Sequence, residues 1–293
     1  MRSALVIAAT LSTVASAQTP SPTPPPPAAD IYLTTLEVAA GRVQIGDAAR
    51  VTDWKGYDNQ PAFSPDGAAL FYTSIREDGQ ADSYRYAIAE KTTTRVTSTP
   101  EGEFSPTVVP GGGALSVIRT EADGTQRLWR MPLGPGEPSL ILKDVKPVGY
   151  HAWLDSRTLV LFVLGSPATL QLANATTGAS EVVGSNPGRS LHRIPGTTRA
   201  SFVDKSGVWT IRSLDPATKK TEPIVATLDG SEDYDWTPSG LLIMGQGSKL
   251  FAYRPGKDTT WRFVADLSGS GVRQITRLAV SPKGDRLAFV GAP

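Results

Sequence analysis

Two histidines, His151 and His192, are the side chains of this 293-residue chain best suited to acid–base or metal chemistry. Together with a carboxylate they could hold a metal ion, or one imidazole could act as a general base. Metal-dependent enzymes need more ligands than this pair offers. A histidine beside Tyr150 or Leu191 is more often a structural residue held by hydrogen bonds. We therefore expect no catalytic residue, no metal site and no cofactor.

Other sequence signals of chemistry are missing. The chain has no cysteine, which excludes disulfides, thiolate nucleophiles, cysteine-ligated metals and an acylated lipoprotein N-terminus. It contains no Gly-x-Ser-x-Gly elbow, P-loop or dinucleotide fingerprint. Its 29 basic and 28 acidic residues give a net charge of +1. With so balanced a charge, we expect no nucleic-acid partner and no attraction to an anionic membrane.

A recurring turn followed by an apolar strand organises the rest of the chain. In its best copy, residues 62–67, Ser64, Pro65 and Gly67 stand where a type I turn favours them. Related copies, some degraded, occupy residues 107–112, 152–156, 192–196, 235–240 and 279–284. The turn prolines recur at a period of about 44 residues, which is typical of a four-stranded propeller blade.

This period predicts an all-β fold, a six-bladed β-propeller of four-stranded antiparallel blades over residues 30–293. Residues 30–52 supply two strands, and residues 276–290 supply another two. We expect the N-terminal strands to complete the C-terminal blade and close the ring, which would remove exposed strand edges. Phe63, Trp153 and Trp236 share one repeat position and should pack each blade on its neighbour.

The best copies of the repeat resemble a known family. Residues 63–67 and 280–284, Phe-Ser-Pro-Asp-Gly and Val-Ser-Pro-Lys-Gly, are each followed by an apolar strand and are similar to the repeat of TolB-like propellers. The resemblance covers nearly all of residues 30 to 290. It implies a six-bladed propeller that binds other proteins of the cell envelope. The TolB pattern also includes a separate α/β domain before the propeller, whereas here only a proline-rich segment precedes the repeats.

The first 29 residues have the composition of a leader and a spacer. Residues 1–17 have a short positive start, an apolar run and an Ala-x-Ala site, so we interpret them as a secretory signal peptide. A membrane anchor is the alternative, but the apolar run is shorter than the ~20 residues that span a bilayer. Residues 18–29 predict a proline-rich tether, or alternatively a ligand for a proline-binding domain. We expect a secreted, periplasmic monomer with no membrane span after signal cleavage.

The loops that lead into the innermost strands should surround one opening of the central channel, which we call the mouth. Counting back from each turn, they carry the pairs Asn59-Gln60, Phe104-Ser105, Gly149-Tyr150, Arg189-Ser190, Glu232-Asp233 and Thr276-Arg277. So mixed a rim suits a protein or peptide better than a symmetric ion site. The predicted binding residues are Tyr150, His151, Arg189, His192, Asp233, Tyr234 and Arg277. Arg189 and Arg277 are expected to be exposed.

These observations favour a non-catalytic binding module for an envelope protein or peptide. The alternative is a propeller hydrolase or lyase that acts on a saccharide or peptide through His151 or His192 with nearby carboxylates such as Asp233. Both histidines converging with a carboxylate in a deep pocket would favour catalysis, whereas histidines that point into the walls would favour binding.

Overall fold

A computed structural model describes residues 26–292. The predicted signal peptide, residues 1–17, and most of the predicted tether, residues 18–29, lie outside the described residues. Within them a short 3₁₀ turn covers Ser268–Ser270. In chain order, the strands are β1 (Asp30–Ala39), β2 (Arg42–Ile45), β3 (Ala49–Arg50), β4 (Tyr57–Phe63), β5 (Ala69–Ile75), β6 (Ala81–Ala87), β7 (Thr92–Arg95), β8 (Gly102–Val108), β9 (Ala114–Thr120), β10 (Gln126–Pro132), β11 (Ser139–Leu140), β12 (Val148–Trp153), β13 (Thr158–Val163), β14 (Thr169–Asn174), β15 (Ser180–Ser185), β16 (Pro187–Arg193), β17 (Ala200–Asp204), β18 (Thr210–Leu214), β19 (Thr221–Ala226), β20 (Tyr234–Trp236), β21 (Leu242–Gln246), β22 (Lys249–Tyr253), β23 (Arg262–Asp266), β24 (Gln274–Val280) and β25 (Arg286–Ala292).

The strands form six antiparallel sheets, the blades of a propeller. Blades 1 to 5 are successive meanders, β4–β7, β8–β11, β12–β15, β16–β19 and β20–β23. Blade 6 joins the two ends of the fold, because β24 and β25 are continued by β1 and β2, and β3 also pairs with β1. β1 lies against β25 from Asp30 opposite Gly291 to Thr35 opposite Arg286. The predicted fold class and ring closure are confirmed.

The recurring turn has the predicted hydrogen bond in copy after copy. Gly67 N–H donates to the Ser64 carbonyl oxygen at 2.9 Å, and Gly284 N–H donates to that of Ser281 at 2.8 Å. The serine side chain also has a structural role, which accounts for serine at this position. Ser64 Oγ accepts the N–H of Ala69 at 2.9 Å, where the next strand begins. Gly67 has a φ of 73°, which glycine adopts without the strain that a side chain would bring. Local turn chemistry thus sets the hairpin that starts a blade.

The apolar core lies between blades. Each of the six junctions between neighbouring blades holds its own cluster of buried residues. Phe63, Trp153 and Trp236 pack in three of these clusters, which confirms the predicted packing role of this repeat position. Within the described part of the chain, no helix is long and apolar enough to cross a membrane. Since the blades pack around an axis, the inner strands β4, β8, β12, β16, β20 and β24 present their starts to one another at the mouth.

Candidate functional site

A cavity of about 130 Å³ lies on the propeller axis at the mouth, lined by the inner strands of blades 1, 2, 3, 4 and 6. Five of the six residue pairs that the sequence placed at the rim contribute to it. The lining includes Gln60, Ser105, Tyr150, His151, Arg189, Ser190, His192 and Arg277, and it contains no aspartate or glutamate. Side chains from five of the six predicted rim pairs therefore lie together around this cavity.

β-Bulges in the inner strands aim three of these side chains at the axis. The register of β4 shifts between Asn59 and Ala62, and the equivalent shifts occur in β8 and β24. Within the bulges Gln60, Ser105 and Arg277 have φ angles of 60°, 54° and 52°. Left-handed backbone is uncommon for residues other than glycine, and bulges re-aim side chains next to binding sites. The position that the three share, five residues before the turn proline, is therefore specialised.

Arg277 and Tyr150 meet across the channel, since blades 6 and 3 face each other in a ring of six. Arg277 Nη2 donates to the Tyr150 hydroxyl at 3.1 Å, and the guanidinium carbon lies 4.8 Å from the ring centroid. The edge of the Phe162 ring supports Tyr150 at a centroid distance of 5.5 Å. Within the described residues, the ion pairs at the mouth involve Arg189, Lys205 and His192 but not Arg277.

Arg189 is held by carboxylates of blade 5. Its Nε donates to Asp233 Oδ1 at 2.8 Å while Nη2 donates to the other oxygen, and its backbone N–H donates to Glu232 Oε2 at 2.9 Å. Burial alone would raise the pKa of Asp233, but the paired Arg189 guanidinium, together with the charge and the backbone N–H of Arg277, outweighs it and holds that pKa below its usual range. The expectation that Arg189 and Arg277 are exposed is wrong. Both are half-buried, because each is drawn inward by a partner on another blade.

His151 belongs to a junction between blades as well as to the cavity wall. Its Nε2 lies 2.7 Å from Ser116 Oγ on blade 2, and Trp153 Nε1 donates to the same oxygen at 2.9 Å. Ser116 Oγ also lies 3.2 Å from the carbonyl oxygen of Thr107, within blade 2. Nδ1 of His151 is buried and unpartnered. Burial lowers the pKa of His151 to about 4, so the imidazole is neutral at pH 7.

Tyr234 occupies in blade 5 the position that His151 occupies in blade 3. Each residue stands two places before a tryptophan, Trp236 or Trp153. The Tyr234 hydroxyl donates to Ser201 Oγ at 2.9 Å, and Trp236 Nε1 donates to the same oxygen at 2.8 Å. Tyr234 is 1% exposed and does not line the central cavity. Its hydroxyl joins blade 5 to blade 4, and burial raises its pKa.

His192 is paired with Asp235 and not with Asp233, the partner that the catalytic alternative named. His192 Nδ1 lies 3.0 Å from Asp235 Oδ1, and Asp235 Oδ2 accepts the N–H of Val280 at 2.7 Å. The imidazole lies 4.8 Å from the ring of Tyr234. Its Nε2 has no hydrogen-bond partner and is buried. Asp235 thus orients the ring of His192 and at the same time ties blade 5 to blade 6.

The predicted binding residues did not include two contributors at the mouth, although Gln60 belongs to one of the predicted rim pairs. Gln60 Oε1 accepts the Thr73 hydroxyl at 2.9 Å and the Ser105 N–H at 2.8 Å, which links blades 1 and 2. Tyr57 lies within electrostatic reach of Arg277 and Arg189, and burial raises its pKa despite their charge. The signal for Gln60 was present, because it aligns with Arg277 in the repeat. Nothing in the sequence pointed to Tyr57.

Among residues 26–292, no three histidine, aspartate or glutamate side chains come together in a way that could hold a metal ion.

The fold is a six-bladed propeller similar to that of solved TolB structures, as the sequence resemblance implied. It superimposes on a TolB-assigned protein of Agrobacterium tumefaciens with a TM-score of 0.72 and 14% sequence identity, covering 91% of this chain and 100% of that one. TolB of Acinetobacter baumannii gives 0.58 and 14%, and this chain spans 64% of its length while 90% of this chain is covered.

The same fold carries other activities. An oligogalacturonate lyase in complex with manganese gives a TM-score of 0.53 and 16% identity, covering 86% of this chain and 83% of the lyase chain. No known family profile matches the sequence. Likeness at these identities establishes the fold alone, so function has to be argued from the mouth.

Proposed function

We propose that this protein is a secreted, periplasmic, non-catalytic binding module, and that its mouth accepts an acidic group of an envelope protein or peptide. The observation that carries this proposal is Arg277. Its guanidinium lines a cavity that contains no aspartate or glutamate, and within the described residues it forms no ion pair. A carboxylate that enters the cavity would gain charge-assisted hydrogen bonds from a guanidinium whose hydrogen-bond partner in the structure is the neutral Tyr150 hydroxyl and not a carboxylate.

Arg189 plays a supporting part in this proposal. Its guanidinium is already held by Asp233, so it stiffens the wall and offers less to a ligand than Arg277 does. The likeness to TolB structures in fold supports a binding role. We propose that the protein acts as a monomer, since the mouth is complete within one chain.

Arg277→Glu tests the proposal. We expect it to reduce recovery of the partner at least roughly tenfold, because a negative charge replaces the cation that faces the ligand. The loss of the contact with Tyr150 should cost only about 1 kcal/mol of stability. The measurement is quantitative mass spectrometry of envelope proteins retained by the immobilised wild-type and variant proteins at low and at physiological salt. The difference should be larger at low salt, where charges are less screened.

Lys283→Glu is the matched control. Lys283 is exposed in the turn of the same β24–β25 hairpin, at the end away from the mouth, and the substitution makes the same change of charge. Its retained proteins should match those of the wild type. If no protein is lost selectively with Arg277→Glu, the proposal is wrong.

Catalysis by His192 is a second candidate function. Donation of its Nδ1 hydrogen to Asp235 leaves Nε2 as a basic nitrogen at the cavity, the arrangement of an oriented general base. The fold likeness to an oligogalacturonate lyase makes acidic oligosaccharides the first substrates to try. We expect no turnover of oligogalacturonates by the purified protein. Turnover that falls by about 10²-fold or more in His192→Gln would instead establish an enzyme.

A further inference from the structure

A groove leads outward from the central cavity over the junction of blades 3 and 4. Its volume is about 430 Å³. Tyr150 and Arg189 line both the groove and the central cavity. The two spaces therefore adjoin at these two side chains, and one elongated ligand can occupy both.

Part of the groove lining is apolar and consists of Phe162, Leu164, Ala168 and Pro187, and the polar side chain of Asn186 also lines the groove. Leu164 is 41% exposed, which is unusual for a leucine in a fold whose other leucines are mostly buried. Phe162 is held in place by the edge-on contact of its ring with Tyr150. An exposed apolar surface beside a polar cavity is typical of a binding site for a ligand with both characters.

The charged groups at the rim of the groove already have partners. Lys205 Nζ lies 3.3 Å from Glu232 Oε2 and 3.9 Å from the centroid of the Trp209 ring. Arg189 is held by Asp233. The groove thus offers apolar contact and little free charge, whereas the central cavity offers Arg277, which contacts Tyr150 but forms no ion pair within the described residues.

We infer that the mouth binds a peptide segment that places a carboxylate in the central cavity and an apolar side chain in the groove between blades 3 and 4. This inference rests on the proposed function and specifies its ligand. The carboxylate belongs either to a C-terminus or to an acidic side chain, since both present the same group to Arg277. An acidic oligosaccharide would also suit Arg277, but its hydroxyls would lose their water against Leu164, Ala168 and Pro187 without gaining partners there.

Short synthetic peptides test the two-point recognition. Each probe carries one leucine and one glutamate separated by zero to three glycines, and matched probes replace the leucine by glycine or the glutamate by glutamine. Titration calorimetry should show that the best two-feature peptide binds at least roughly tenfold more tightly than either single-feature probe, as expected for burial of one apolar side chain. Free and amidated C-termini distinguish the two sources of carboxylate.

Three variants then separate the groove from the cavity. Leu164→Ser should reduce the two-feature peptide to the affinity of the glutamate-only probe. The control is Leu133→Ser, because Leu133 is 40% exposed and follows β10 at the opposite face. It should have no effect. Arg277→Glu should weaken every probe that carries a carboxylate.

The outcomes are distinguishable. If Arg277→Glu abolishes binding but Leu164→Ser and the leucine make no difference, the groove inference is overturned while the proposed function stands. If Arg277→Glu also has no effect, both are overturned. Binding of oligogalacturonate in place of every peptide, unaffected by Leu164→Ser, would overturn the peptide assignment.

Discussion

Deleting residues 1–52 should leave no folded propeller, whereas deleting residues 1–27 should leave thermal stability unchanged. The difference lies in β1, which pairs with β25 over six residue pairs and completes blade 6. Ile31 is 0% exposed and Leu36 is 4% exposed, and each packs at a different side of that blade. Tyr32 stacks on Phe289 at a centroid distance of 5.4 Å.

The expected loss exceeds what a domain of this kind can spare. Burial of each of these three side chains contributes about 2 kcal/mol, and the strand pairing and two blade junctions are lost with them. Total stabilities of native domains are typically about 5–15 kcal/mol. The deletion would also expose the edge of β25 to intermolecular pairing. Circular dichroism melting and size-exclusion chromatography should show an unfolded or aggregated chain.

The shorter deletion stops at residue 27 because the fold begins slightly before β1. Ala29 N–H donates to the Gly56 carbonyl oxygen at 3.0 Å, and Asp58 N–H donates to the Ala29 carbonyl oxygen at 3.0 Å. A third protein that starts at Asp30 lacks this bridge and should melt a few degrees lower. Equal melting temperatures for the chains that start at residues 28 and 53 would refute closure of the ring by β1.

The fold could be predicted from sequence because its signals are local and repeated. A turn of serine, proline and glycine forms the same hydrogen bond in each copy. The spacing between copies, about 44 residues, gives the number of blades. Ring closure followed from two half-blades at the ends. The positions of the rim pairs followed as well, since each lies a fixed distance before its turn.

The chemistry of the mouth was only partly predictable, because it depends on contacts between blades. Whether Arg277 reaches Tyr150 depends on the width of the ring and on a bulge with left-handed backbone. The sequence gives no sign of this backbone, because the residue in the bulge is not a glycine. Tyr234 was expected at the mouth but lies in a junction. The repeat contains a signal for this position, because Tyr234 and His151 each stand two residues before a tryptophan. In each blade, the residue and its tryptophan contact the same serine of the preceding blade, Ser201 or Ser116.

Glu103 is a buried acid that does not line the central cavity. It is 0% exposed at the start of β8, where Thr97 Oγ1 donates to its Oε2 at 2.8 Å and Thr99 donates to its other oxygen. Burial raises the pKa of Glu103 to about 7, and the nearby Asp82 carboxylate adds to the shift, while the two threonine hydroxyls oppose it. The folded protein therefore holds a proton that the unfolded chain releases near pH 4.5, the ordinary value for glutamate.

Glu103→Gln should stabilise the protein at pH 8 by roughly 2–3 kcal/mol relative to the wild type, and by much less at pH 4. Below about pH 4.5 both states are protonated, so the side chain carries no penalty. Between pH 4.5 and 7 the unfolded state binds fewer protons than the folded state, and wild-type stability falls as pH rises. Glutamine keeps an acceptor for Thr97, offers a donor to Thr99 and does not titrate.

Urea unfolding of both proteins from pH 4 to 8.5 measures the difference. The control is Glu90→Gln, because Glu90 is exposed. A difference that stays constant over this range would mean that Glu103 has the same pKa in the folded and unfolded states, with the hydroxyls of Thr97 and Thr99 compensating its burial.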